Sequence, residues 1–388
     1  MTTNALPRLL RATLVLLALL CAGAAEVRAQ APAGRAVREL PALSDSAWAA
    51  LVQALSEEGG FFDTDNLISN ERSYLHVVGP LRRMRGGAYI GVGPEQSFSY
   101  LAAARPAVAF IIDIRRDNLL HHVLLRSLFA LSSNRLEYLS RLHGRALPSD
   151  LSAWDDRPLE EVLARVDALP VDPATARATV AAIDSLVRGL PLPISETDLN
   201  TIRRFHREFI QNGTALRFRT FGREPRPWYP TFRDLLLETD AAGRPASFLY
   251  TEADFRWVKA LQAKNLVVPV VGDLAGPRAM RAIAGWLAQR GVGVSAYYTS
   301  NVEDYVWQDG KYAAFVANTR ALPWTADGVM VRSWFHAGRP AGGLVARPGY
   351  YSSQILQPIG AFLAAADALP TGRAAYEQVI TAGMLDLR

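Results

Sequence analysis

Residues 88–118 read AYIGVGPEQSFSYLAAARPAVAFIIDIRRDN, and this stretch decides the fold. Residues 88–92 form a short apolar run bounded by glycines, and residues 108–114 form a second run, richer in β-branched side chains. Between them, residues 95–104 have helix-compatible composition and stop before Arg105-Pro106, where proline removes a backbone donor and blocks a further turn. The pattern predicts a strand–helix–strand unit, and such units are right-handed and parallel in nearly every case.

The same alternation continues on the C-terminal side. From Asn118 an amphipathic helix is predicted to run towards Gly144, with leucines mostly at three- and four-residue steps. Later, residues 252–264 and 277–290 read as helices, and residues 266–271, 292–297 and 328–334 as strands, with a strand end at 247–250 and mixed turn and helix signals over 302–322. Two features interrupt the series: a helical arm carrying Trp48, Leu51, Val52 and Leu55, and a proline-punctuated helical insertion at 147–193. A further helix is predicted over residues 196–212. The expected fold class is α/β, a doubly wound, mostly parallel sheet of the Rossmann type. Its two halves span 88–146 and 194–340, with linker and arm at 32–87 and a C-terminal extension at 341–388.

Composition limits the chemistry. Among 388 residues, 50% are hydrophobic and one is cysteine, which excludes a disulfide scaffold, an all-cysteine zinc site and a wholly disordered chain. The 42 Lys+Arg against 37 Asp+Glu give a formal net charge of +5, but the basic pairs Arg115-Arg116 and Arg203-Arg204 are isolated, so nucleic acid is not an expected partner. Residues 1–31 read as a secretory signal peptide: Arg8 and Arg11, a short apolar run, then small-x-small sites ending at Ala29 and Ala31. Cleavage there would remove three arginines and one glutamate, lowering the charge from +5 to +3, together with Cys21. The expected location is the periplasm or the extracellular space, or a membrane anchor if the segment is retained. Oligomeric state is not legible.

Candidate site residues sit at the predicted carboxyl ends of strands, where open α/β sheets bind ligands. Gly91-Val92-Gly93 permits a tight turn ahead of a helix N-terminus, although the third glycine of the dinucleotide fingerprint is absent. Asp113 ends the next strand, either as a ribose acceptor or as a strand terminus paired with Arg115 and Arg116. Asp273 follows the third strand, as a ligand-facing carboxylate or as a helix cap. Residues 297–305, with Tyr298, Asn301 and Glu303, form a polar and aromatic cluster at another strand end. Asn66, Ser69, Asn70 and Glu71 form a similar cluster upstream, either a lid or an ordinary connection. The histidines lack metal spacing and no metal is expected; no nucleophile elbow or P-loop occurs.

The runs 91–100 and 109–119, with Phe62-Asp63-Thr64-Asp65-Asn66 and Ser300-Asn301-Val302-Glu303, resemble an uncharacterised bacterial family. Members of that family look like class I S-adenosylmethionine-dependent methyltransferases in fold, and the similarity extends from Phe62 to about Phe335. The resemblance implies a nucleoside-type cofactor, S-adenosylmethionine. Gly91, Gly93, Glu95, Tyr100 and Asp113 would form its shell, with Asp113 on the ribose hydroxyls. By the same resemblance Asp273 would lie near the adenine or the reacting methyl; Glu303 would take a proton if the acceptor needs it, and Asn70, Glu71, Tyr298 and Asn301 are the candidates to face a small-molecule acceptor. Pro94-Glu95 departs from the pattern, and export conflicts with a cytoplasmic methyl donor. The alternative expectation is an exported, non-catalytic small-molecule-binding protein on the same fold.

Overall fold

A computed structural model describes residues 39–224, 226–336, 344, 347–368 and 373–387. The segment expected to be a signal peptide lies outside the described residues. Six strands form one sheet: β1 Ala88–Gly91, β2 Val108–Asp113, β3 Val267–Val271, β4 Val294–Ser300, β5 Trp324–Phe335 and β6 Ser352–Pro358. Their order is β3-β2-β1-β4-β5-β6. All neighbouring pairs are parallel except β5 with β6, so the fold is α/β with a mostly parallel sheet, compatible with a Rossmann-like architecture. Strands β1 to β3 are buried along nearly their whole length, which is why they read as unbroken apolar runs rather than alternating ones.

The first crossover follows the predicted pattern: helix Gln96–Ala104 joins β1 to β2 and stops at Arg105, in the left-handed region at φ 45°, just before Pro106. The helix expected to continue to Gly144 is instead two, Arg116–Leu131 and Arg135–Leu142. The break has a local cause. Asn134 accepts from the Glu137 amide at 3.0 Å, while Glu137 accepts from the Ser133 amide and hydroxyl, each at 2.7 Å, so a new N-terminus is capped there.

Strand β3 is the sheet edge, so Pro269 costs it no ladder bond. The N-terminal arm closes that edge. Helix Asp45–Leu55 lays Trp48 against it, donating to the Val267 carbonyl at 3.0 Å, while the Val271 amide donates to Ser56 Oγ at 3.1 Å and the Glu57 amide donates to the Val271 carbonyl at 2.9 Å. At the opposite edge, the segment expected to be an extension contributes β6. Residues 247–250 form a turn and no strand.

Candidate functional site

The carboxyl ends of the parallel strands open into a cavity of about 1030 Å³. The strand order turns back between β1 and β4, and the cavity lies over that point, lined by Gly93 after β1, Asp113 of β2, Asp273 after β3, and Tyr298, Ser300 and Asn301 at the end of β4. Asn70 and Glu71, upstream of β1, line it as well. Seven residues expected from sequence are therefore brought together: Gly93, Asp113, Asp273, Asn70, Glu71, Tyr298 and Asn301.

Four others do not line it. Gly91 is packed inside β1, where a Cβ would collide with the Tyr89 ring, so its glycine serves sheet packing. Tyr100 is buried and donates to the Tyr74 carbonyl at 2.8 Å. Glu95 is buried under the turn with Oε2 lacking a partner. Glu303 is buried on the far side of its helix, 2.5 Å from Arg332 Nε and accepting from Thr299 Oγ1 at 2.8 Å.

Gly93 needs its freedom: φ is +83°, a region that side chains other than glycine rarely enter. Its surroundings are open, with Asn66 Nδ2 3.5 Å from where a Cβ would stand, and its carbonyl is 2.9 Å from His122 Nε2. Asp113 holds Arg115 in a fork, Oδ1 to Nε at 3.0 Å and Oδ2 to NH2 at 2.8 Å. The same guanidinium donates to the Thr64 carbonyl, so this pair ties the segment before β1 to the end of β2. Asp273 both pairs with Lys311 at 3.2 Å and caps a turn, accepting from the Ala275 amide at 2.9 Å.

The cavity floor is organised around Glu71. Its Oε2 accepts from Tyr298 at 2.7 Å, from Gln354 Nε2 at 3.2 Å and from Ser333 Oγ, and its Oε1 accepts from Ser300 Oγ. Tyr298 in turn accepts from Gln96 Nε2. Burial pushes the Glu71 carboxyl above its ordinary range, and the hydrogen bonds from Ser300, Ser333, Tyr298 and Gln354 pull the other way. Ser300 reaches Glu71 because β4 slips register against β5 at this point and Ser300 turns to φ 54°.

Sequence reasoning did not single out Gln96, Ser300, Ser333 or Gln354. Ser300 and Gln96 stand inside motifs it quoted, whereas Ser333 on β5 and Gln354 on β6 reach the floor only through sheet pairing. No curated protein matches the chain. A family described as a domain of unknown function, DUF7790, matches residues 67–149 and 214–368, more than half of the sequence, and the chain belongs to that family.

Proposed function

We propose that this chain is a methyltransferase-like protein on a doubly wound sheet, and that its cavity holds a nucleoside-type ligand such as S-adenosylmethionine. The observation that supports the reading is the convergence of Gly93 and Asp113, from successive strand ends, on one cavity at the turning point of the strand order. The cavity's volume, about 1030 Å³, is enough for a cofactor-sized molecule and a small acceptor together.

The residues fit such a ligand. Gly93 lines the cavity with only Asn66 Nδ2 within 4 Å of where a Cβ would stand, and Asp113, whose Oδ1 is filled by the Arg115 amide and Nε, keeps one acceptor direction on Oδ2 beside the bond from the guanidinium. When bound, S-adenosylmethionine supplies a methyl group on a sulfonium. The chain's own part is to hold: Arg115 fixes the Asp113 carboxylate, Gly93 permits close approach, and Glu71 with its donors sets the polarity of the floor. Rate enhancement on this arrangement would come chiefly from positioning.

One observation favours the second reading, an exported binding protein without catalysis. Glu303, the carboxylate expected to take a proton, is committed to Arg332 and does not reach the cavity. Calorimetry of the full chain with S-adenosylmethionine and S-adenosylhomocysteine tests the proposal. Saturable heat with both, reduced by Gly93→Val, is expected; no heat at high micromolar ligand with far-UV circular dichroism intact sinks it.

A further inference from the structure

Glu71 is a buried carboxylate facing a cavity, and among the described residues no cation pairs with it. Every described residue that bonds its carboxyl is a neutral donor. Burial of a carboxylate without a counter-charge is costly, and hydroxyl or amide donors offset only part of that cost.

The network also fixes which way its two amides point. Tyr298 donates to Glu71, so its oxygen must accept, and the Gln96 group facing it must be NH2. Gln354 donates through Nε2 to Glu71 and to Ser333 Oγ, whose own proton goes to Glu71. In both cases the amide oxygen is left over, and both Gln96 Oε1 and Gln354 Oε1 are buried without a partner. Gln96 lines the cavity. Among the described residues Glu71 Oε1 accepts from Ser300 alone, so it retains a free direction. The floor is thus short of donors and short of positive charge.

The wider lining agrees. Among the described residues, six acidic ones line the cavity against four basic ones, in a chain whose formal net charge is +5. Three of the basic residues are neutralised by lining aspartates, Arg115 by Asp113, Arg223 by Asp63 and Lys311 by Asp273. Near the mouth stand Phe61, Trp228 and Tyr305, exposed aromatic rings of the kind that hold flat apolar bodies; the fourth basic residue, Arg226, already lies over Trp228 at 5.5 Å, which leaves Phe61 and Tyr305 for a ligand.

We infer that the second ligand of this cavity is an organic amine, its ammonium anchored by Glu71 and Gln96 and its apolar body passing the aromatic mouth. An ammonium supplies what the floor lacks, one positive charge and three N–H donors. The inference rests on the reading that the cavity takes small molecules, and it makes Glu71 the residue that selects an amine over an alcohol or an acid.

The test is calorimetry of the full chain with three probes of nearly equal shape: phenethylamine, 2-phenylethanol and 3-phenylpropanoate. At neutral pH phenethylamine should bind at least about tenfold more tightly than the other two, the size of a charge-assisted hydrogen bond. Glu71→Gln should remove that preference while leaving 2-phenylethanol unchanged. Because this buried substitution can disturb folding, Gln96→Leu provides a second variant that should weaken the amine and spare the alcohol. Equal affinity for the three probes on the wild-type chain overturns the inference whatever the variants do, as does preference for the acid. S-adenosylhomocysteine is titrated in parallel. Its failure with amine binding intact refutes the cofactor reading alone, whereas its binding without any amine preference refutes only this inference. A Glu71→Gln effect confined to S-adenosylhomocysteine also overturns it, since the carboxylate would then serve the cofactor's own amino group.

Discussion

Glu95 offers a quantitative test of how tightly the turn after β1 is closed. It stands at the N-cap of helix Gln96–Ala104, yet its side chain makes no capping bond, it is 4% exposed, and Oε2 has no partner. Burial raises its carboxyl from the ordinary 4.5 to about 8, opposed by a hydrogen bond from its own backbone amide. The sign follows from proton counting. Between pH 4.5 and 8 the folded chain keeps a proton that the unfolded chain has released, so this residue favours folding at low pH and opposes it as pH rises. At about 1.4 kcal/mol per pKa unit, and allowing for partial titration at both ends, Glu95 lowers stability by about 3 kcal/mol between pH 5 and pH 7.5.

Replacing Glu95 with Gln keeps the shape and removes the titration. The assay is urea unfolding of both chains at pH 5, 6, 7 and 7.5, with the slope on denaturant required to be the same for each. Buried histidines titrate too, but in the opposite sense. His122 and His143 are pushed down to about 4 by burial, so their contribution is full above pH 6.5 and is lost as pH falls towards 4. Both chains share them, and they cancel in the difference. The variant should gain on wild type steadily, by about 3 kcal/mol over the window. A difference that stays flat within 0.5 kcal/mol or so would refute the reasoning and mean that Glu95 finds water or a partner in solution.

Three further substitutions separate structural from ligand-facing carboxylates. Glu303→Gln breaks a buried pair with Arg332 and should cost about 3–5 kcal/mol in urea unfolding while leaving ligand affinity intact; an affinity loss without a stability loss would restore Glu303 to the site. Glu57 accepts from the amides of Asp273, Arg278 and Ala279, at 2.9, 3.1 and 3.2 Å, so Glu57→Ala should cost about 1–3 kcal/mol, and an unchanged unfolding midpoint would contradict that capping role. Gly91→Ala drives a Cβ into the Tyr89 ring and should lower the melting temperature; the double variant Gly91→Ala with Tyr89→Ala should recover part of that loss, and if it recovers none, the collision is not the cause.

Strands β1 to β3 were legible because each is a nearly continuous apolar run flanked by glycine or proline, a signal carried within a few residues. Strand β6 was not, since Ser352–Pro358 is mostly polar, with Ile355-Leu356 its one apolar pair, and becomes a strand by pairing with β5. The break at Ser132-Ser133-Asn134 had a readable sign, a capping residue three positions before Glu137, but the leucine spacing runs straight across it. In the segment expected as an insertion, 147–193, helices Leu159–Ala168 and Pro173–Gly189 form between the prolines, and the family match passes over 150–213.

The site was readable in position and not in charge. Strand ends bring Asp113 and Asp273 to the cavity, but they say nothing about which carboxylates are already neutralised. That is decided by partners distant or adjacent in the chain: Arg332 for Glu303, Lys311 for Asp273, Arg115 for Asp113. Glu303 was expected to face the crevice because its motif follows β4. The left-handed Ser300 and the helix Val302–Gln308 instead turn it inward, where Arg332 of β5 meets it. Glu71, from an upstream segment with no strand of its own, ends against donors from β4, β5 and β6 and meets no cation among the described residues. Charge left unpaired at a cavity wall points to a ligand more directly than does a carboxylate at a strand end, because the second is explained by folding alone and the first is not.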